Sequence, residues 1–192
     1  VGSQVGLRWL AKLADQPVFP TQELAKFHRK YLKLPIIALT GSNGKTTTKE
    51  LINTVLSKKY TTKATIGNLN NHIGVPLTLL SFNKETEIGI VEMGANHQKE
   101  IEFLCEIATP DFGYITNFGK AHLEGFGGIE GIKKGKGELF DFLAQHEGTV
   151  FLPYDKNVVH DMHAERVFKS TIIANEALYT ELVEAKPTVV YQ

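Results

Sequence analysis

The stretch "PIIALTGSNGKTTTKELINTVL", residues 35–56, restricts the fold of this chain more than any other. Ile36 to Thr40 read as a buried strand, and a turn containing Gly41 and Gly44 follows. Lys45 and three threonines then open a helix whose Leu51, Ile52, Val55 and Leu56 recur at helical spacing. A strand that passes through a glycine turn straight into a helix belongs to a parallel α/β architecture, because parallel strands need a crossover helix. The turn also carries chemistry. Its backbone N–H groups and the helix N-terminus can face a polyphosphate, with Lys45 reaching the outer oxygens and the Thr46 hydroxyl on Mg2+. Gly41, Ser42, Asn43, Gly44, Lys45, Thr46 and Thr47 are therefore the expected nucleotide contacts. Leu39 stands where the first glycine of the usual phosphate-loop pattern would be, so the context supports the loop better than its spelling does. The plainer alternative is an N-capped helix after a tight turn, but Gly-Lys-Thr serves no packing need here.

The alternation continues. "IGIVEM" (88–93), "DFGYIT" (111–116) and "GTVFLP" (148–153) read as further buried strands. "HQKEIEFLCEIA" (97–108), residues 129–143 and "NVVHDMHAERVF" (157–168) read as helices. The expected fold class is α/β, a mostly parallel sheet flanked by helices of the P-loop NTPase kind, with ligands at the carboxyl ends of the strands. Residues 1–34 carry helical patterns, "LRWLAKLA" and "QELAKFHRKYL", and are expected to belong to a preceding unit or linker. Residues 35–155 form the nucleotide-binding domain, and 156–192 continue it less regularly.

Composition narrows the partners. Lys plus Arg (21) balances Asp plus Glu (21), which gives no field favouring nucleic acid and points to a small-molecule partner. One cysteine, Cys105, allows no internal disulfide. No apolar run approaches the ~20 residues that span a bilayer, and no signal peptide is visible, so a cytoplasmic monomer without membrane insertion is expected. Guanine reading is disfavoured because "NKET" (83–86) lacks the aspartate of an Asn-Lys-x-Asp motif. No arginine occurs between Arg29 and Arg166, so lysines and metal ions must neutralise a transferring phosphoryl group.

Three residues outside the loop stand out. Glu92 lies in an apolar strand between Val91 and Met93, where a charge is costly unless paired or metal-bound. His122 follows the third strand in the glycine-rich "NFGKAHLEGFGG" (117–128), and is read either as a metal ligand or as a surface histidine. Lys136 falls within the stripe Ile129, Ile132, Leu139, Phe140 and Leu143, whereas Lys133 falls at its edge and Lys134 faces away. A buried lysine loses its proton readily and becomes nucleophilic, so it could react with CO2 to give an anionic carbamate. The alternative is a lysine snorkelling from the core's edge.

"TGSNGKTTTKE", "GNLNNHIGVPLTLL", "VEMGANHQKEI", "ITNFGKAHLEGFG" and "KKGKGELF" together resemble the Mur ligase family, over roughly residues 22–152. The resemblance implies an ATP-dependent ligase of peptidoglycan precursor synthesis. The segments around 67–80 and 117–126 favour the branch that joins D-Ala-D-Ala to UDP-N-acetylmuramoyl (UDP-MurNAc) tripeptide through an acyl phosphate. It further implies that Lys45 stabilises the phosphates, that Thr46 and Glu92 hold one Mg2+, and that His122 and carbamylated Lys136 hold another. Asn117 would contact adenine, and Asn68, Asn70, Asn71 and His72 would face the muramoyl substrate. It implies too that most of the first, UDP-binding domain and the whole C-terminal ligase domain are absent. Two alternatives stay open, a folylpolyglutamate synthetase-like relative and a nucleotide-binding module without catalysis.

Overall fold

The computed structural model describes residues 20–119, 123–153 and 158–173. The chain runs α1 (Pro20–Leu32), β1 (Ile36–Thr40), α2 (Lys45–Leu56), β2 (Thr62–Ala64), α3 (Gly74–Ser81), β3 (Ile88–Glu92) and α4 (Glu100–Ala108). It continues with β4 (Phe112–Ile115), α5 (Leu123–Phe126), α6 (Ile129–Gln145), β5 (Thr149–Leu152), α7 (Val158–Ala164) and β6 (Ser170–Ile173). The strands form one six-stranded parallel sheet in the order β2-β3-β1-β4-β5-β6. From β1 the chain first moves to one edge and later crosses to the other. The strand order therefore reverses at the carboxyl end of β1, where an open α/β sheet leaves a crevice for a ligand.

The four strands expected from apolar runs are present, each trimmed by a residue or two at its ends except β1. The two strands that the pattern does not show, β2 and β6, are the sheet edges. Thr62-Lys63-Ala64 is only half buried and "STII" is mostly exposed. An edge strand has one neighbour, so it needs no continuous apolar run. Helix α3 tolerates Pro76 because its N–H would lie among the first-turn donors that have no intrahelical acceptor.

Helix α2 is rolled relative to its apolar stripe. Leu51 and Val55 are exposed by 62% and 68%, whereas Lys49 is fully buried. The covered face runs through Lys49, Ile52 and Leu56, so a charged residue at the edge of the apolar stripe is buried while Leu51 and Val55 within it are not. In α6 the expected stripe holds for Ile132, Leu139, Phe140 and Leu143, all buried, but Ile129 at its start is exposed.

Helix α1 packs into the same core as the sheet's helical layer, with Ala25 fully buried. Arg29 donates from Nε to the Ala108 carbonyl (3.0 Å) and from Nη2 to the Thr109 carbonyl (3.0 Å) at the end of α4. Its Nη2 also meets Asp111 Oδ2 at 2.9 Å, and that oxygen accepts the Ile36 N–H at 2.8 Å. A cation on the last carbonyls of a helix opposes the negative end of its dipole. The boundary drawn at residue 34 thus falls between a helix and the strand it helps to anchor. At the other end, β6 pairs in parallel with β5 and adds the sixth strand to the sheet. Among the described residues no helix is long and apolar enough to cross a membrane.

Candidate active site

The register places the site's parts before any side chain is considered. Leu39 pairs with Glu92 and Thr40 with Ile115, so the turn after β1 is flanked by the ends of β3 and β4. Gly41 has φ +147°, and a Cβ there would lie 1.9 Å from Thr116 Oγ1. Only glycine fits, because the residues after β4 close directly over the loop. The Ser42 N–H donates to the Asn117 carbonyl (3.0 Å) and the Asn43 N–H to Asn117 Oδ1 (3.1 Å). Thr116 Oγ1 and Asn117 Nδ2 both donate to the Asn43 carbonyl, at 2.7 and 3.1 Å. The Asn117 amide is therefore spent on shaping the loop in this structure. Lys45 Nζ rests on the carbonyls of Gly41 (2.9 Å) and Ser42 (3.4 Å), inside the turn that its ammonium would share with a phosphate. Burial lowers its pKa, with Glu92 pulling the other way.

Glu92, 1% exposed, gathers three segments. Its Oε1 accepts from Thr46 Oγ1 (3.3 Å) on α2 and from Asn70 Nδ2 (2.7 Å) on the loop before α3. Its own N–H donates to Thr65 Oγ1 at 3.0 Å. Oε2 is buried with no hydrogen-bond partner. The Gly94 N–H donates to the Asn70 carbonyl (2.7 Å), so the turn after β3 and the asparagine loop hold each other. Asn71 caps α3, its Oδ1 accepting the N–H groups of Ile73 (3.1 Å) and Gly74 (3.0 Å). Asn68 offers its carbonyl to the Asn70 N–H at 2.7 Å. The His72 carbonyl accepts from Gln22 Nε2 at 2.9 Å.

A cleft of about 310 Å³ opens between these groups, and its walls include Lys45, Asn70, Asn71, His72, Asn96, Glu100 and Lys136. Asn68, Glu92 and Asn117 do not line it. Lys136 is 1% exposed, with Nζ 5.2 Å from the centre of the Phe126 ring. Gly135 makes this possible, since a Cβ there would come within 2.4 Å of the same ring. Burial, reinforced by the nearby positive charge of Lys45 and only partly opposed by Glu100, lowers the Lys136 pKa to about 8. An appreciable fraction of this amine is neutral near pH 7–8, which an exposed lysine does not offer. Lys133 is half-buried and Lys134 exposed, as their angular positions imply. His122 lies outside the described residues.

Thr46 and Glu92 suit a magnesium ion. Both offer hard oxygen donors, and a buried carboxylate oxygen lacking a hydrogen bond has an unused lone pair for a cation. Among the described residues no group of three or more His, Cys, Asp or Glu could hold a metal unaided. Magnesium commonly takes one or two carboxylates and completes its shell with phosphates and water.

A family model described as the Mur ligase middle domain matches residues 39–186. The chain belongs to the Mur ligase family. The sequence is 41% identical over 140 residues to the UDP-N-acetylmuramoyl-tripeptide--D-alanyl-D-alanine ligase of Bacillus subtilis, covering 73% of this chain and 31% of that protein. It is 43% identical over 135 residues to the Escherichia coli enzyme of the same name, covering 70% and 30%. Among solved structures, MurF from Acinetobacter baumannii superposes with a TM-score of 0.69 at 37% identity, covering 80% of this chain and 34% of that one. MurF ligase from Thermotoga maritima, solved in complex with ADP, gives 0.69 at 32% identity, covering 81% and 36%. The chain thus spans about a third of the length of these Mur ligases.

Two carboxylates that shape the backbone around the site of this Mur ligase domain escape a pattern reading. Glu138 is buried and accepts the N–H groups of Lys99 (2.6 Å) and Glu102 (3.0 Å), so α6 caps the start of α4. Glu100 Oε2 accepts the N–H groups of Asn96 (2.6 Å) and His97 (3.1 Å) and shapes the turn after Glu92. Neither has a sequence signal, because each acts on backbone donors far from, or just before, its own position. Lys49 does have one. It lies one helical turn beyond Thr46, so a lysine at that spacing falls on the face that Thr46 presents to Glu92.

Proposed function

We propose that this chain is the nucleotide-binding part of an ATP-dependent ligase that joins D-Ala-D-Ala to UDP-MurNAc-tripeptide in peptidoglycan precursor synthesis. The observation that carries the reading is the meeting at Glu92 Oε1 of Thr46, from the phosphate loop, and Asn70, from the loop assigned to the muramoyl substrate. A carboxylate shared in this way brings a nucleotide and an acceptor substrate to one centre. The names of the relatives from Bacillus subtilis and Escherichia coli, and the ADP bound to the Thermotoga maritima enzyme, support the same chemistry.

In this reading the substrate's terminal carboxylate attacks the γ-phosphorus of ATP, the bond to the β-γ bridging oxygen breaks, and ADP leaves. The amine of D-Ala-D-Ala then adds to the acyl phosphate carbon. The tetrahedral adduct loses a proton from nitrogen and expels phosphate, leaving the amide. Lys45 moves from its loop carbonyls to the phosphate oxygens, Gly41 to Thr47 present N–H groups, and Asn117 keeps the loop shaped while its segment faces the adenine. Asn70, Asn71 and His72 orient the muramoyl carboxylate, with Asn68 at the start of their loop. Thr46 and Glu92 would hold one magnesium ion, and His122 with Lys136 a second; magnesium supplies charge neutralisation for the transferring phosphoryl group. For that role the neutral Lys136 amine attacks CO2, gives up one proton and becomes a carbamate. Positioning contributes most of the remaining acceleration.

The test is ADP release by the full-length protein with Mg-ATP and UDP-MurNAc-tripeptide, with and without D-Ala-D-Ala, beside a folate plus glutamate control. Release that needs both cell-wall substrates is the expected result. Release only with folate and glutamate moves the chain to a different ligase branch, and ATP binding with no turnover on any pair makes it a binding module.

A further inference from the structure

Lys49 is a fully buried lysine that the proposed chemistry leaves without a task. Its ammonium lies 3.3 Å from the Gly67 carbonyl, 3.0 Å from Glu50 Oε1 and 3.9 Å from Glu92 Oε2. Glu92 Oε2 is the oxygen that has no hydrogen bond. Gly67 begins the left-handed turn, φ +54°, from which the chain passes to Asn70. One cation therefore touches the carboxylate shared by the two ligand loops and the root of the loop that supplies Asn70.

A lysine carried into a protein interior is costly unless its charge and its donors are used. Glu50 alone does not account for the burial, because its carboxylate is 59% exposed and could pair with a lysine at the surface. The Gly67 carbonyl and Glu92 are what require the ammonium to sit inside. We infer that Lys49 is a positioning residue: it ties the Thr65–His72 loop to α2 and balances Glu92, so that the acceptor-substrate loop is already in place when nucleotide arrives. The inference deepens the ligase reading and rests on it for the identity of the substrate, though the tether itself is read without substrate.

Lys49→Met keeps the length of the side chain and removes its charge and donors. In ligand-free, full-length protein, backbone hydrogen exchange over residues 65–73 should rise about tenfold, the scale of a lost hydrogen bond to a charged group, with the β1 and β4 segments unchanged. Lys49→Arg should recover most of the protection, and Glu50→Gln should leave it at the wild-type level. In the ligation assay Lys49→Met should raise KM for the muramoyl substrate about tenfold with kcat little changed. Unchanged exchange over 65–73 overturns the tether, and so does a rise spread evenly through the domain, which would make Lys49 only a filler of the core. If wild-type protein does not ligate at all, the ligase reading fails, while the exchange measurement still decides the role of Lys49.

Discussion

Asn70 Nδ2 lies 2.7 Å from Glu92 Oε1, closer than the Thr46 hydroxyl that shares the same oxygen at 3.3 Å. The asparagine amide is thus the principal donor to a carboxylate that is 1% exposed. Asn70→Ala should leave that oxygen with one long hydrogen bond and weaken magnesium-dependent ADP binding about tenfold, while ADP binding in EDTA stays as it was. Asn70→Asp should be worse, because it sets two carboxylates against each other. Calorimetric titration of each variant with ADP, with and without Mg2+, makes the comparison. Equal losses in both conditions would show that Asn70 serves the loop's fold alone.

Burial lowers the Lys136 amine from its ordinary value of 10.5 to about 8. Between those values the unfolded chain holds a proton that the folded chain lacks, so this residue makes stability rise with pH across that window. Lys136→Met should remove that slope and raise stability at pH 7 by roughly 1–3 kcal/mol while abolishing ligation. Thermal melts from pH 7 to 10 in CO2-free buffer, compared between wild type and variant, read both effects. A variant less stable than wild type at pH 7 would mean that the ammonium is well compensated.

The same shift sets the reactivity of Lys136. Uptake of 13C-labelled CO2 by this amine should increase as pH climbs from 6.5 towards about 8, since only the neutral form has a lone pair to donate. Carbon NMR would follow the carbamate signal, with Lys136→Met as the blank. A signal that survives the substitution belongs to another amine.

Gly41 and Gly44 both have positive φ but should respond differently to alanine. At Gly41 the new Cβ would meet Thr116 Oγ1 at 1.9 Å, whereas at Gly44 nothing lies within 4 Å. Gly41→Ala should cost about 2–4 kcal/mol and disrupt nucleotide binding, while Gly44→Ala should cost about 1 kcal/mol from backbone strain alone. Urea unfolding midpoints rank the two, and similar costs would contradict the closure of β4's end over the loop.

Glu138→Ala removes the acceptor for two N–H groups at the start of α4, and should cost about 1–2 kcal/mol. Glu138→Gln keeps one carbonyl oxygen and should recover part of that stability. The difference between their melting temperatures checks it; identical melting temperatures would mean that the charge, not the acceptor geometry, is what α4 needs.

The sequence alone determined the glycine turn between β1 and α2, the four inner strands and the place of Lys136 on the apolar stripe of α6, because each rests on contacts that are local or periodic: a glycine turn before a helix, an apolar run, a 3.6-residue stripe. It also marked Glu92 as a charge needing a partner. Which partners it has was decided only by tertiary structure, since Thr46, Asn70 and Lys49 reach it from segments whose relative placement follows from strand order. The edge strands β2 and β6 needed the sheet to exist before they could be seen, having no apolar run of their own. The roll of α2 went the same way. Its stripe includes Leu51 and Val55, yet both are exposed while Lys49 is buried within reach of the Gly67 carbonyl and Glu92. Periodicity counts apolar surface, whereas a buried ion pair depends on a charge far away in the chain, and only the fold brings the two together.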